Sequence, residues 1–187
     1  MRLFVGIPLP DRIKDTLTAM CGGVDDAHWR ERAQLHLTLR FIGEVDGGTA
    51  RDIDDVLYQI DTPAFPLVLR ETGFFKERQL ARVLWAGVAD ETDLRRLQKK
   101  IQHGFAAIGL QPEHRRYHPH VTLAYLNGID PLEAEGYAAR YSEYTSPSFM
   151  VDRICLFSSH RRAMGGTGAI YTEEAAYPLH SPEQALT

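Results

Sequence analysis

The sequence predicts an α+β protein built as two similar lobes around a central cleft. Three observations carry that prediction. Segments follow one another as strand, helix, strand, helix, hairpin, helix, strand, hairpin, a mixed run that favours largely antiparallel sheets. One short strand pattern occurs twice, 84 residues apart, a little under half of the chain. The 187 residues suffice for a substantial core, and no Gly/Ser linker or low-complexity segment divides them. Residues 1–187 therefore read as a single domain of two lobes, each contributing one copy of the repeated strand.

Each element has a local reason. "RLFVGIP" (2–8) is apolar, ends at Pro8 and Pro10, and reads as a strand. From Asp11 to Met20, Ile13, Leu17 and Met20 recur at helical spacing, and Gly22–Gly23 stop the helix. "LHLTLRFIGEV" (35–45) is the second strand. "TARD" (49–52) resembles a capping box, with Ile53, Val56, Leu57 and Ile60 as the following stripe and Pro63 as its end. "FPLVLRETGFF" (65–75) and "LARVLWAGV" (80–88) flank the polar turn "KERQ" as a hairpin. Asp90 caps a long helix with Leu94, Leu97, Ile101, Phe105 and Ile108 on one face, closed by Gly109. The loop "QPEHRR" leads into the strand "YHPHVTLAYL", and a short helix follows Pro131. "FMVDRICLFSS" (149–159) and "AIYTEEAAYPL" (169–179) form a final hairpin around "HRRAMGGTG", and the tail after Pro182 is loose.

Bulk properties exclude several classes. A net charge of −4 argues against a general nucleic-acid coat, so an anionic substrate needs a local basic patch. Cys21 and Cys155 show no CxxC spacing, which disfavours a disulfide framework or a cysteine zinc site and favours a reducing, cytoplasmic setting. "MRLFVGIPLP" reads as a first strand, not a signal peptide, and no apolar run approaches membrane-spanning length.

The repeated pattern is His–aliphatic–Thr–Leu–x–aromatic–aliphatic: His36, Thr38 and Phe41 in the first copy, His120, Thr122 and Tyr125 in the second. With eight His and twelve Thr in the chain, about half of one His-x-Thr is expected by chance, yet two occur with the same continuation. In a strand, residues two apart share a face, so each imidazole projects beside its hydroxyl, with Arg40 next on that face in the first copy. Strand parity sends Phe41 and Tyr125 to the other face. Two imidazoles facing one cleft suit phosphodiester chemistry without a metal. One takes a proton from water and the other gives one to the leaving oxygen, because an ordinary imidazole holds both forms near neutral pH. The threonine hydroxyls can donate to non-bridging phosphate oxygens.

Paired His-x-Thr strands on a chain of this size resemble the 2H phosphoesterase superfamily. "MRLFVGIPLP", "HLTLRFIGEV", "RVLWAGV", "HPHVTLA" and the closing "YPL" narrow the resemblance to its RNA 2′,3′-cyclic phosphodiesterase branch, the 2′-5′ RNA ligase-like proteins. The resemblance implies two lobes of antiparallel sheet backed by helices and hydrolysis of a 2′,3′-cyclic phosphate to a 2′-phosphomonoester, with slow 2′-5′ ligation in reverse. It implies His36 as the acid on the departing 3′ oxygen, His120 as the base on water, and Thr38 and Thr122 on the phosphate. Substrates would be RNA ends or small 2′,3′-cyclic nucleotides, with no cofactor, no membrane partner and a monomeric enzyme. Many relatives carry Arg at the position of Tyr125, so Arg40, Arg116 or the loop arginines are expected to supply the basic contact.

Other readings stand beside this one. A non-catalytic module that senses RNA ends or nucleotides would keep the same cleft. His118 and His120, with His36, could chelate a metal, although neither repeated strand core holds a carboxylate to support the ligands. Arg115–Arg116 and Arg161–Arg162 are solvated loop charge or phosphate contacts. "GGTG" (165–168) lacks the following helix of a phosphate-binding loop. Phe4, Phe41, Phe74, Trp85 and Tyr125 are candidates for base stacking, with core packing the default. Ser158 and His160 lack a triad acid at a readable spacing.

Overall fold

The computed structural model describes residues 1–113, 115–161 and 169–180, with the Arg161 side chain excluded. Its strands are β1 (Arg2–Pro8), β2 (His28–Trp29), β3 (His36–Glu44), β4 (Phe65–Leu67), β5 (Leu69–Glu77), β6 (Leu80–Val88), β7 (Val121–Ile129), β8 (Phe149–Val151), β9 (Arg153–Arg161) and β10 (Ala169–Pro178). Its helices are α1 (Asp11–Ala19), α2 (Gly47–Tyr58), α3 (Thr92–Ala107) and α4 (Pro131–Arg140). The α+β class is therefore as predicted. The "GGTG" stretch, Arg162 and the tail after Pro182 lie outside the described residues.

Eight strands form one sheet in the order β10-β9-β1-β3-β7-β6-β5, with β2 also on β7. The named strands pair antiparallel throughout. The two sheets expected from sequence are thus joined edge to edge, and the two repeated strands, β3 and β7, are the neighbours at the seam. β4 and β8 make a separate two-stranded sheet. The predicted strand over 65–75 is accordingly broken into β4 and β5.

Local chemistry explains several boundaries. The Asp46 carboxylate accepts from the Thr49 N–H at 2.8 Å, so α2 begins at Gly47, ahead of the capping box expected at Thr49. The Asp90 carboxylate accepts from the Thr92 N–H at 2.9 Å, and α3 buries Leu94, Leu97, Ile101 and Phe105 at three- and four-residue spacing. The β5–β6 turn is tighter than "KERQ": Arg78 and Gln79 both take positive φ, as a two-residue mirror-image turn requires.

The helices cover one face of the sheet. Ile13 and Leu17 of α1, Ile53 and Leu57 of α2, the α3 stripe, and Ala134 and Tyr137 of α4 join one core with Val5, Leu37, Leu39, Leu84, Val121 and Leu123. Burial of this continuous apolar surface is the main favourable term in folding. The opposite face keeps the polar residues of the repeat.

Candidate active site

The site starts from one backbone pair. Leu37 of β3 lies opposite Val121 of β7, and these are equivalent positions of the repeat. An antiparallel pairing of equivalent residues places a local two-fold axis between them. Counting outward along that register sets His36 across from Thr122 and Thr38 across from His120. Leu37 and Val121 are fully buried towards the helices, so the alternating neighbours project from the other face.

Both imidazoles are anchored identically. His36 Nδ1 lies 2.7 Å from the Gln34 carbonyl oxygen, and His120 Nδ1 lies 2.7 Å from the His118 carbonyl oxygen. A carbonyl only accepts, so each Nδ1 carries the hydrogen and each Nε2 is left as the working nitrogen. His36 Nε2 is 3.0 Å from the Thr38 hydroxyl. Gln34 is itself fixed: its side chain accepts from the Glu31 N–H at 3.0 Å and donates to the Ala169 carbonyl at 2.5 Å.

Matched bulges follow. Val5 pairs with Arg40 while Gly6 pairs with Thr38, which leaves Leu39 as an extra residue on β3. Leu84 pairs with Ala124 while Trp85 pairs with Thr122, which leaves Leu123 extra on β7. A bulge interrupts the two-residue alternation. Arg40 therefore turns with Val5 towards the core and is only 8% exposed. There it donates to the Gln111 carbonyl and pairs with Glu113 at 3.4 Å. This corrects the expected place of Arg40 beside Thr38. It also corrects the parity of Phe41 and Tyr125, which emerge on the imidazole face, 56% and 44% exposed. The Phe41 ring meets Phe4 at 5.9 Å.

Aromatic walls surround the imidazoles. Around His36 stand Phe4 at 4.8 Å, Tyr171 at 5.2 Å and Phe157 at 6.0 Å between ring centroids. The His36 ring reaches over Gly6, where a β-carbon would come within 3.4 Å of it and 3.0 Å of the Leu37 carbonyl. Around His120 stand Phe75 at 4.9 Å and His118 at 6.2 Å, with Trp85 against both of these. Trp85 lies over Gly73, where any β-carbon would overlap its ring. Phe75, not Phe74, faces the site; Phe74 packs against the core.

Burial lowers both imidazole pKa values, that of His36 to about 4. For His36, the positive charges of Arg30, His120 and Lys14 add to the effect of burial. For His120, the additional cause is His118. His36 is therefore neutral in the ligand-free protein at pH 7.

The remaining candidates separate clearly. Arg115 and Arg116 are exposed on the approach to His118. Among the described residues, no group of three or more His, Cys, Asp or Glu is gathered to hold a metal, so the His36–His118–His120 chelate has no assembled ligand set. Ser158 is fully buried and donates its single hydroxyl hydrogen to Glu174 at 2.5 Å, with His160 Nε2 at 2.9 Å. An acid on the serine rather than on the histidine does not make a triad. Sequence reasoning missed β2 and Arg30. The alternation in "HWR" was the available signal: Trp29 turns inward against Tyr137 and Arg30 turns out.

The family model for the 2′-5′ RNA ligase superfamily matches residues 8–163. An RNA 2′,3′-cyclic phosphodiesterase of Aeropyrum pernix is 38% identical over 105 residues, covering 56% of this chain and 60% of the relative. That of Geobacillus stearothermophilus is 28% identical over 183 residues, covering 94% of this chain and 56% of the relative. The chain thus spans little more than half the length of these two proteins. The structure of E. coli LigT complexed with 3′-AMP superposes with a TM-score of 0.75 at 25% identity, covering 95% of this chain and 97% of that one. With both His-x-Thr strands inside the matched region, the chain belongs to the 2′-5′ RNA ligase superfamily.

Proposed function

We propose that the protein is a metal-independent RNA 2′,3′-cyclic phosphodiesterase that opens the cyclic phosphate of RNA ends or small nucleotides to a 2′-phosphomonoester. The observation that carries this reading is the seam, where equivalent residues pair and equivalent carbonyl anchors on Nδ1 leave both Nε2 atoms unprotonated. The names of the relatives, and the 3′-AMP in the LigT complex, support a nucleotide phosphate as ligand.

In this mechanism His120 Nε2 takes a proton from water as the water oxygen attacks phosphorus. The bond from phosphorus to the 3′ oxygen breaks, and His36 Nε2–H gives that oxygen its proton. Thr38 and Thr122 donate to the non-bridging oxygens, where negative charge grows. Because His36 is neutral when free, it takes up a proton from solvent as the substrate binds: the phosphate anion stabilises the imidazolium against burial. When the 5′-hydroxyl of a second RNA end takes the place of water, the same steps join it to the phosphorus as the 3′ oxygen leaves, giving a 2′-5′ linkage. Both halves of the site come from one chain, so a monomer suffices, and the free thiols of Cys21 and Cys155 suit the cytoplasm.

The test is product analysis with 2′,3′-cyclic AMP in EDTA. The expected product is 2′-AMP. A 3′-monophosphate product or chelator-sensitive turnover would contradict the mechanism, and stoichiometric binding without turnover would support the sensor reading instead.

A further inference from the structure

Arg30 occupies a place that no other described residue fills. Trp29 pairs with Ala124 and turns into the core, so the next residue emerges on the imidazole face. The Arg30 N–H donates to the Leu123 carbonyl at 2.8 Å, which holds the segment on β7 beside the seam. The side chain then spans both halves of the sheet. Its guanidinium carbon is 5.3 Å from the Tyr125 ring centroid on one side and 5.4 Å from that of Tyr171 on the other. Nη2 donates to the Tyr171 hydroxyl at 2.8 Å, and the Tyr171 ring stands edge-on to His36.

The guanidinium is half-buried, and among the described residues no carboxylate lies within ion-pair distance of it. Arg40, Arg32 and Arg95 are all paired with acids. A guanidinium has five N–H donors in a planar fork, and one side-chain hydrogen bond leaves most of them available. Of the charged groups that lower the His36 pKa, Arg30 has the largest effect. A buried imidazole beside a guanidinium with open donors makes a receptor for an anion.

We propose that Arg30 binds a non-bridging oxygen of the reacting phosphate, held ready by its two tyrosine neighbours. This rests on the phosphoesterase reading above, since the phosphate must lie between His36 and His120.

The test compares wild type, Arg30→Gln, Arg30→Lys and Tyr171→Phe, each checked for folding by circular dichroism. Affinity for 2′-AMP and for inorganic phosphate is read by calorimetry and turnover of 2′,3′-cyclic AMP by kinetics. Arg30→Gln should bind 2′-AMP about ten- to a hundredfold more weakly, the range for losing a charged hydrogen bond. Arg30→Lys should fall between it and wild type. Tyr171→Phe, which keeps the charge but removes one support of the guanidinium, should weaken binding less than Arg30→Gln does. In the free protein, Arg30→Gln should let His36 protonate at a higher pH. The proposal is overturned if Arg30→Gln binds both ligands as wild type does, or if Arg30→Lys, which keeps the charge, binds no better than Arg30→Gln. Arg30-dependent binding in a protein that opens no cyclic phosphate would sink the proposed reaction and leave this contact standing. Wild-type turnover with an unaffected Arg30→Gln would do the reverse.

Discussion

β3 and β7 carry the same device in different surroundings. In each, an imidazole donates Nδ1–H to the carbonyl two residues earlier, an aliphatic residue pairs across the seam, and a bulge at Leu39 or Leu123 turns the following residue inward. The side chains around the two imidazoles differ. His36 is walled by Phe4, Phe157 and Tyr171 and bonded to Thr38. Its carbonyl anchor belongs to Gln34, itself tied through both polar atoms of its side-chain amide. His120 leans on Phe75 and hangs from exposed His118, and Thr122 makes no side-chain hydrogen bond among the described residues. The backbone thus supplies a symmetric frame, and the packing sets the two imidazoles apart. Groups of one kind placed in unlike environments are how a site obtains distinct acid and base roles.

The largest predicted effects test the frame itself. His36→Ala and His120→Ala should each lower kcat by about 10²–10⁴-fold in a protein that still melts cooperatively, as loss of a general acid or base does. Equal retention of activity in either variant would break the symmetry argument. The roles then separate with a phosphodiester whose leaving group is p-nitrophenolate, which needs no proton. That substrate should restore His36→Ala well above His120→Ala. Rescue of His120→Ala instead would exchange the two assignments.

Smaller effects probe the surroundings. Thr38→Ala and Thr122→Ala should each cost about tenfold in kcat/KM, the scale of one neutral hydrogen bond. Stability should also depend on pH through His36. Its folded pKa, about 4, lies below the ordinary imidazole value, so the unfolded chain binds more protons between about pH 6.5 and 4. Stability from this source is complete above that window and is lost as pH falls through it. Denaturant midpoints across the window should fall in wild type and fall less in His36→Gln. Arg40→Ala should reduce stability by about 1–3 kcal/mol, by releasing the loop at Gln111 and Glu113, and leave KM unchanged. A raised KM would return Arg40 to the substrate.

Much of this was legible in residues 36–41 and 120–125, because burial of one strand face forces the two-residue alternation that places His beside Thr. The same rule failed immediately after Thr38 and Thr122. A bulge leaves no mark in the strand that carries it; it exists only in the register with β1 or β6, and so Arg40, Phe41 and Tyr125 were assigned to the wrong faces. Phe75 was missed for a related reason: of two adjacent phenylalanines, hairpin register decides which one meets His120. β2 has two residues, too few for a periodic signal, yet it delivers Arg30. Helix positions were readable to within a few residues, since the three- and four-residue stripes and the Asp caps are local.

The central claim is that both imidazoles grip one phosphate. Nitrogen-15 spectra of the His36 and His120 rings during titration with 2′-AMP test it most directly. Both Nε2 resonances should move with one affinity and one-to-one stoichiometry, and His36→Gln or His120→Gln should strongly weaken the response of the remaining ring. Two affinities, or a shift confined to one histidine, would contradict it.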